Sequence, residues 1–209
     1  MDRPEKDLLR INAMQHLGNG LFAAKHWVDA LSVKEAEFSM LQRTEQSASY
    51  MLSTQENLAT AYELTGRLDQ CLQMRQDIYS RRLVVQGEEN IDTLYAANNY
   101  AATLFDIERV EEAKSLLKKT MRVARRILGE SHIGTLKMQW LYARTLYEGH
   151  GPCYDIPTFD DLHEAVTTLE KAARISQRVL GGAHPLTAAI KEDLGVSQDA
   201  VQLKKDLSG

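Results

Sequence analysis

The sequence predicts an all-α protein, a single tandem array of helix hairpins over residues 1–209, about four pairs followed by a C-terminal capping helix. Three observations carry this expectation. Apolar residues recur at helical spacing through most of the chain, and no strictly alternating stretch reads as a strand. Landmarks repeat at a fixed step: Asn57-Leu58-Ala59, Asn99-Tyr100-Ala101 and Leu141-Tyr142-Ala143 follow one another at 42 residues. Small residues recur in pairs, Gly18 with Ala30, Ala59 with Cys71 and Ala101 with Ala113, always 12 apart. A two-helix unit cannot bury both of its faces alone, so identical units stack, and small side chains let their helices cross closely.

The first unit covers about residues 8–43. Asp7 to Gln15 opens a helix, with Leu8, Leu9, Ile11, Met14, Leu17 and Leu21 at helical spacing. Gly18 and Gly20 each weaken that helix by roughly 1 kcal/mol relative to alanine, which points to close approach by a neighbouring helix. Trp27 to Leu41 is the return helix, with Trp27, Ala30, Leu31, Val33, Phe38 and Leu41 inward. The second unit, 44–86, pairs Ala48 to Thr65 with Leu68 to Val85. They break at Gly66, where glycine takes the positive φ that closes a helix. Cys71 falls in a core-facing slot and reads as a small buried hydrophobe.

The third unit, 87–128, pairs Ile91 to Asp106 with Val110 to Leu128. The fourth, 129–180, begins with His132 to Glu148 and resumes at Asp160 to Leu180. The closing landmarks Gln86, Leu128 and Leu180 step by 42 and then 52, so this unit holds ten extra residues, placed at Gly149 to Thr158. Thr158 suits the N-cap of the resumed helix, with Asp160 and Asp161 at the positive end of its dipole. The capping helix, within 184–206, runs from Pro185 to Lys205. Pro185 fits a first turn, where its missing N–H has no partner in any case.

Composition bounds the function. A hydrophobic share of 44% with 26% charged residues belongs to a globular chain, and a net charge of −4 offers no basic face for nucleic acid or an anionic membrane. No apolar run approaches the roughly 20 residues that span a bilayer. The opening MDRPEKDLLR lacks a signal-peptide core, which sets the expectation of a cytoplasmic or nuclear location. Cys71 and Cys153 are far apart, with no Cys or His ladder around them. The one chemically varied stretch, Gly149 to Asp155 with His150 and Cys153, reads as an irregular loop, because a zinc site needs three or four spaced ligands. No phosphate-binding loop, HExxH or GxSxG motif is present, so the sequence predicts no catalytic residues, no metal and no cofactor.

The step of 42, the paired small residues and the loop Gly-Glu followed by Thr-Leu, seen as Gly87-Glu88 with Thr93-Leu94 and Gly129-Glu130 with Thr135-Leu136, resemble the tetratricopeptide repeat of the kinesin light chain type. Gly181 to Thr187 echoes the same loop, and the runs AANNYAATL and EEAKSLLKKT look like kinesin-light-chain-like repeat proteins of single-celled algae. The resemblance covers residues 44–195 well and 8–43 less well. It implies a right-handed superhelical solenoid whose concave face, lined by first helices, holds a peptide. It further implies that first-helix asparagines hydrogen-bond the ligand backbone; the matching positions are Asn57 and Asn99, with Asn98 beside the latter, while Leu141 replaces the asparagine in the fourth unit. The version of this fold that clamps a C-terminal carboxylate needs a lysine where this chain has Gln15 or Glu56.

Removing packing positions from the first helices leaves a groove set centred on Asn57, Tyr95, Asn98, Asn99, Lys137, Trp140, Arg144 and Tyr147. Amide side chains both donate and accept, matching a peptide backbone, and the aromatics supply rigid apolar area. Lys137 and Arg144 could hold an acidic group. Lys114, Lys118, Lys119, Arg122, Arg125 and Arg126 form a basic stretch, read as a solvated face. The function expected is a non-catalytic scaffold binding a protein or peptide partner. The rivals are a self-association module, and a metal-binding or enzymatic role for the 149–158 insertion.

Overall fold

The computed structural model describes residues 3–44, 48–148 and 157–207. His150 and Cys153, and with them the metal or nucleophile reading of the insertion, lie outside the described residues. Those residues are helical wherever they are regular: α1 (Arg3–Ala23), α2 (Trp27–Leu41), α3 (Ala48–Leu64), α4 (Leu68–Gln86), α5 (Ile91–Asp106), α6 (Val110–Ile127), α7 (Ile133–Tyr147), α8 (Phe159–Val179) and α9 (Pro185–Asp206). From α2 onward each helix begins and ends within a residue or so of its expected limits. α1 is the exception and continues unbroken through Gly18 and Gly20.

The chain divides into two compact units, Met1–Arg81 and Arg82–Gly209. In the first, α1 packs on α2 and α2 on α3. Leu31, Leu58, Ala59, Ala61, Tyr62 and Cys71 form a buried cluster, with Phe22, Phe38 and Met74 against it. The reason for Gly18 is specific: a Cβ there would stand 2.7 Å from Lys34 Cε. Lys34 lies under α1 with its side chain wholly buried, and its Nζ donates to Glu37 Oε2 at 3.0 Å and to the Gln15 carbonyl at 3.5 Å. Gly20, by contrast, faces open space. Of the two glycines, only the first marks a close approach.

In the second unit consecutive helices pack from α5 to α9, and α5, α7 and α9 also touch in alternation, so these three share one face. The small residues Ala101, Ala113, Ala143 and Ala165 are all fully buried, as Ala59 and Cys71 are in the first unit. Gly195, next in the first-helix series, meets nothing within 4 Å. Each first helix starts from one loop design. Gly87, Gly129 and Gly181 take φ of +82°, +86° and +84°, and three residues later Asn90, His132 or His184 caps the helix. Asn90 Oδ1 accepts from the Asp92 N–H at 2.8 Å, and the two histidines accept through Nδ1 at 3.1 Å from Gly134 and Leu186. α8 starts instead with the expected Thr158 cap, completed into a reciprocal box by Asp161.

The basic stretch of α6 is largely consumed within the chain. Lys114 pairs with Asp161 at 2.9 Å, Lys119 with Glu88, Arg125 with Glu130, and Arg126 with Glu89 at 2.7 Å. Glu130 also accepts from Lys171 at 2.8 Å and from Gln139 at 3.0 Å. Burial alone would raise the Glu130 and Asp161 carboxyls, but their donors outweigh it and hold both below the ordinary range. The folded values are therefore lower than the unfolded ones. Their contribution to stability is complete above about pH 5 and is lost as pH falls through the unfolded and then the folded values. Thermal unfolding followed from pH 7 down to pH 3 should show an acid-induced drop in Tm that is flatter in Glu130→Gln and Asp161→Asn.

Candidate functional site

The shared face of α5, α7 and α9 gathers a cluster of aromatic and charged side chains. Trp140 and Arg144, four residues apart on α7, lie on one side of that helix. The Arg144 guanidinium lies 4.9 Å from the Phe105 ring centroid of α5 and 5.5 Å from that of Trp140. Its Nε and one terminal nitrogen donate to the two Glu148 oxygens at 2.6 and 3.0 Å. From α9, Asp193 reaches in: its Oδ2 accepts from Trp140 Nε1 at 2.5 Å and stands 3.9 Å from Arg144 Nε. Tyr147, 7% exposed, donates to Glu148 at 3.3 Å and also hydrogen-bonds Asp193. Burial first, then the Asp193 and Glu148 charges, push its phenol well above the usual range. Burial works against the Arg144 charge, but Glu148 and Asp193 prevail and make it harder still to deprotonate.

The expected groove residues fare differently. Asn99 and Lys137 are exposed on α5 and α7, and Lys137 makes no ion pair among the described residues. Asn98 is half-buried, and its Oδ1 is shielded from solvent without a hydrogen-bond partner among the described residues. The Tyr95 ring stands against the start of α7, 6.4 Å from the His132 ring, and a Cβ on Gly134 would lie 3.0 Å from it. That makes Tyr95 a packing residue for the loop as well as a surface one. Asn57 is exposed on α3, in the first compact unit. Arg144 already holds a carboxylate of its own helix, so of the pair Lys137 and Arg144 only the lysine carries an uncommitted charge.

Asp193 is the residue that sequence reasoning missed. The signal was present: counting the longer step of 52 from Leu141 lands on Asp193, the α9 counterpart of Asn57 and Asn99. Reading α9 only as a cap hid that register. Among the described residues no group of three or more His, Cys, Asp or Glu side chains is placed to hold a metal ion, and no helix is long and apolar enough to cross a membrane.

Helix hairpins with small-residue crossings at a step of 42, and a face shared by first helices, define a tetratricopeptide-type helical repeat. Residues 92–151 match the family model described as tetratricopeptide repeat. The narrower likeness is to kinesin light chain-like repeats. A Podosopora anserina protein described as a kinesin light chain with nearly identical TPR-like repeats superposes with a TM-score of 0.74 at 20% identity, covering 99% of this chain and 92% of that one. A point-substituted form of it gives a TM-score of 0.76 at 20% identity over 99% and 91%. BtubC (BKLC) from P. vanneervenii gives 0.74 at 17% identity over 95% and 77%. At these identities the likeness establishes the fold. No curated protein matches the chain.

Proposed function

We propose that this chain is a non-catalytic protein-interaction scaffold that captures a peptide segment of a partner on the shared face of α5, α7 and α9. The observation that carries the reading is Asn98, whose buried Oδ1 has no donor among the described residues and lies beside the exposed Asn99. An amide oxygen left so costs about 1–3 kcal/mol, and a ligand backbone N–H would recover it. In this reading Asn98 and Asn99 hold the ligand backbone. Trp140, with Arg144 against it, offers a rigid flat surface for a ligand side chain, and Tyr147 backs that surface from below. Lys137 and Tyr95 stand at equivalent positions near the starts of α7 and α5; the lysine makes that end of the face positive, and Tyr95 sets the loop beside it. Asn57 has the same role in the first unit. Repeats of this class commonly act as protein-binding scaffolds, which supports the reading.

The experiment is affinity capture with the wild-type chain and with the double variant Asn99→Ala, Trp140→Ala, followed by titration of the peptide recovered. The double variant should bind at least about tenfold more weakly, a loss of about 1.4 kcal/mol or more. Equal binding at unchanged helical content would sink the assignment.

A further inference from the structure

The first compact unit carries a cleft bounded by α2, α3 and α4, with a volume of 560 Å³. That lies within the roughly 300–1,000 Å³ typical of ligand sites. One residue type dominates its polar lining: Gln42 at the C-cap of α2, Gln55 from α3, and Gln70, Gln73 and Gln76 from α4. Phe38 and Met74, packed on the unit's core, supply an apolar wall. The charges present cancel, because Arg81 pairs with Asp77 at 3.0 Å.

Gln55 decides what this lining is for. It is 5% exposed, and its Oε1 has no hydrogen-bond partner among the described residues. Leucine or methionine would fill the same space on α3 without burying an orphaned amide oxygen, so packing does not account for the residue. The other glutamines are exposed and can turn toward a guest. A glutamine amide offers two donors and an acceptor, the complement of a peptide unit with its one N–H and one C=O. A charged guest would surrender hydration without gaining a counter-charge.

We propose that this cleft is a second binding site, for a short uncharged peptide segment whose backbone pairs with the glutamine amides and whose apolar side chain lies on Phe38 and Met74. It shares no residue with the α5, α7 and α9 face. Proton–nitrogen correlation spectra of the full chain test it, with pools of short acetyl- and amide-capped peptides as probes: one pool free of Asp, Glu, Lys and Arg, one acidic, one basic, and a neutral disaccharide alongside. The uncharged pool should move the side-chain amide signals of Gln55, Gln70 and Gln73 while those of Asn98 and Asn99 stay in place. Gln55→Met, which keeps the volume, should weaken the effect by about tenfold, equivalent to about 1.4 kcal/mol. Gln73→Ala, on the open surface, should weaken it severalfold with no change in Tm. The proposal is overturned by the absence of shifts, by equal response to a charged pool, by a response to the disaccharide alone, or by both variants behaving as wild type.

Discussion

Glu37→Ala should destabilise the first compact unit by about 3–5 kcal/mol, the largest single-residue effect expected in this protein. Lys34 and Glu37 are both wholly removed from solvent, one turn apart on α2. With the carboxylate gone, the ammonium keeps, among the described residues, the distant Gln15 carbonyl at 3.5 Å. The native pair is itself imperfect, since Glu37 Oε1 has no hydrogen-bond partner among the described residues. Replacing both charges by Lys34→Met with Glu37→Leu should therefore cost little or even stabilise, because it removes two desolvation penalties together. Urea unfolding of the two single variants and the double variant gives the coupling directly. Gly18→Ala completes the argument: its Cβ would stand 2.7 Å from Lys34 Cε, so its cost should largely vanish once Lys34 is shortened to alanine. A Glu37→Ala variant unfolding at the wild-type urea midpoint would refute the account.

That pair shows where sequence reading stops. Helix limits were legible because they are written in local chemistry: glycines at Gly66, Gly87, Gly129 and Gly181 take positive φ, and Thr158 and Pro185 start helices as their side chains dictate. The crossing points were legible because only a small side chain fits there, and Ala59, Cys71, Ala101, Ala113, Ala143 and Ala165 are buried as their spacing requires. Lys34 and Glu37 carried no such mark. Charged residues are presumed solvated, and nothing local says that α1 will lie across them. Two turns also escape the glycine rule: Lys25 and Glu108 adopt φ of 62° and 64°, which an L side chain tolerates at a cost of about 1–2 kcal/mol. At the candidate site the sequence put Lys137, Trp140, Arg144 and Tyr147 on α7; Lys137 is exposed, Trp140 and Arg144 are half-buried, and Tyr147 is buried. What the sequence hid was which side chains were already taken: Arg144 by Glu148, the Trp140 indole by Asp193, and the basic run of α6 by acids on neighbouring loops and helices.

Asp193→Ala should cost the second compact unit about 2–3 kcal/mol and at the same time loosen the candidate binding face. Asp193 is mostly buried, its side chain 18% exposed, and it accepts from the Trp140 indole and engages the Tyr147 hydroxyl while facing the Arg144 guanidinium. Hydrogen bonds to a charged acceptor contribute about 1.5–3 kcal/mol, and alanine would take that acceptor from the half-buried Trp140 N–H and leave the buried Tyr147 hydroxyl, among the described residues, only Glu148. Asp193→Asn keeps an acceptor of the same shape and should cost about 1 kcal/mol, the charge-assisted share of the interaction. The Trp140 ring is fixed on one side by the Arg144 guanidinium and at its nitrogen by Asp193, so only the second restraint is lost in Asp193→Ala. The near-ultraviolet signal of Trp140, read in a Trp27→Phe background, should then broaden and its fluorescence shift to the red. If the proposed peptide capture on the α5, α7 and α9 face holds, with the indole as its platform, the peptide should bind several-fold more weakly to Asp193→Ala and close to normally to Asp193→Asn, which still holds the indole N–H. If the two variants bind alike, Asp193 acts on the fold alone and has no part in positioning Trp140 for a partner.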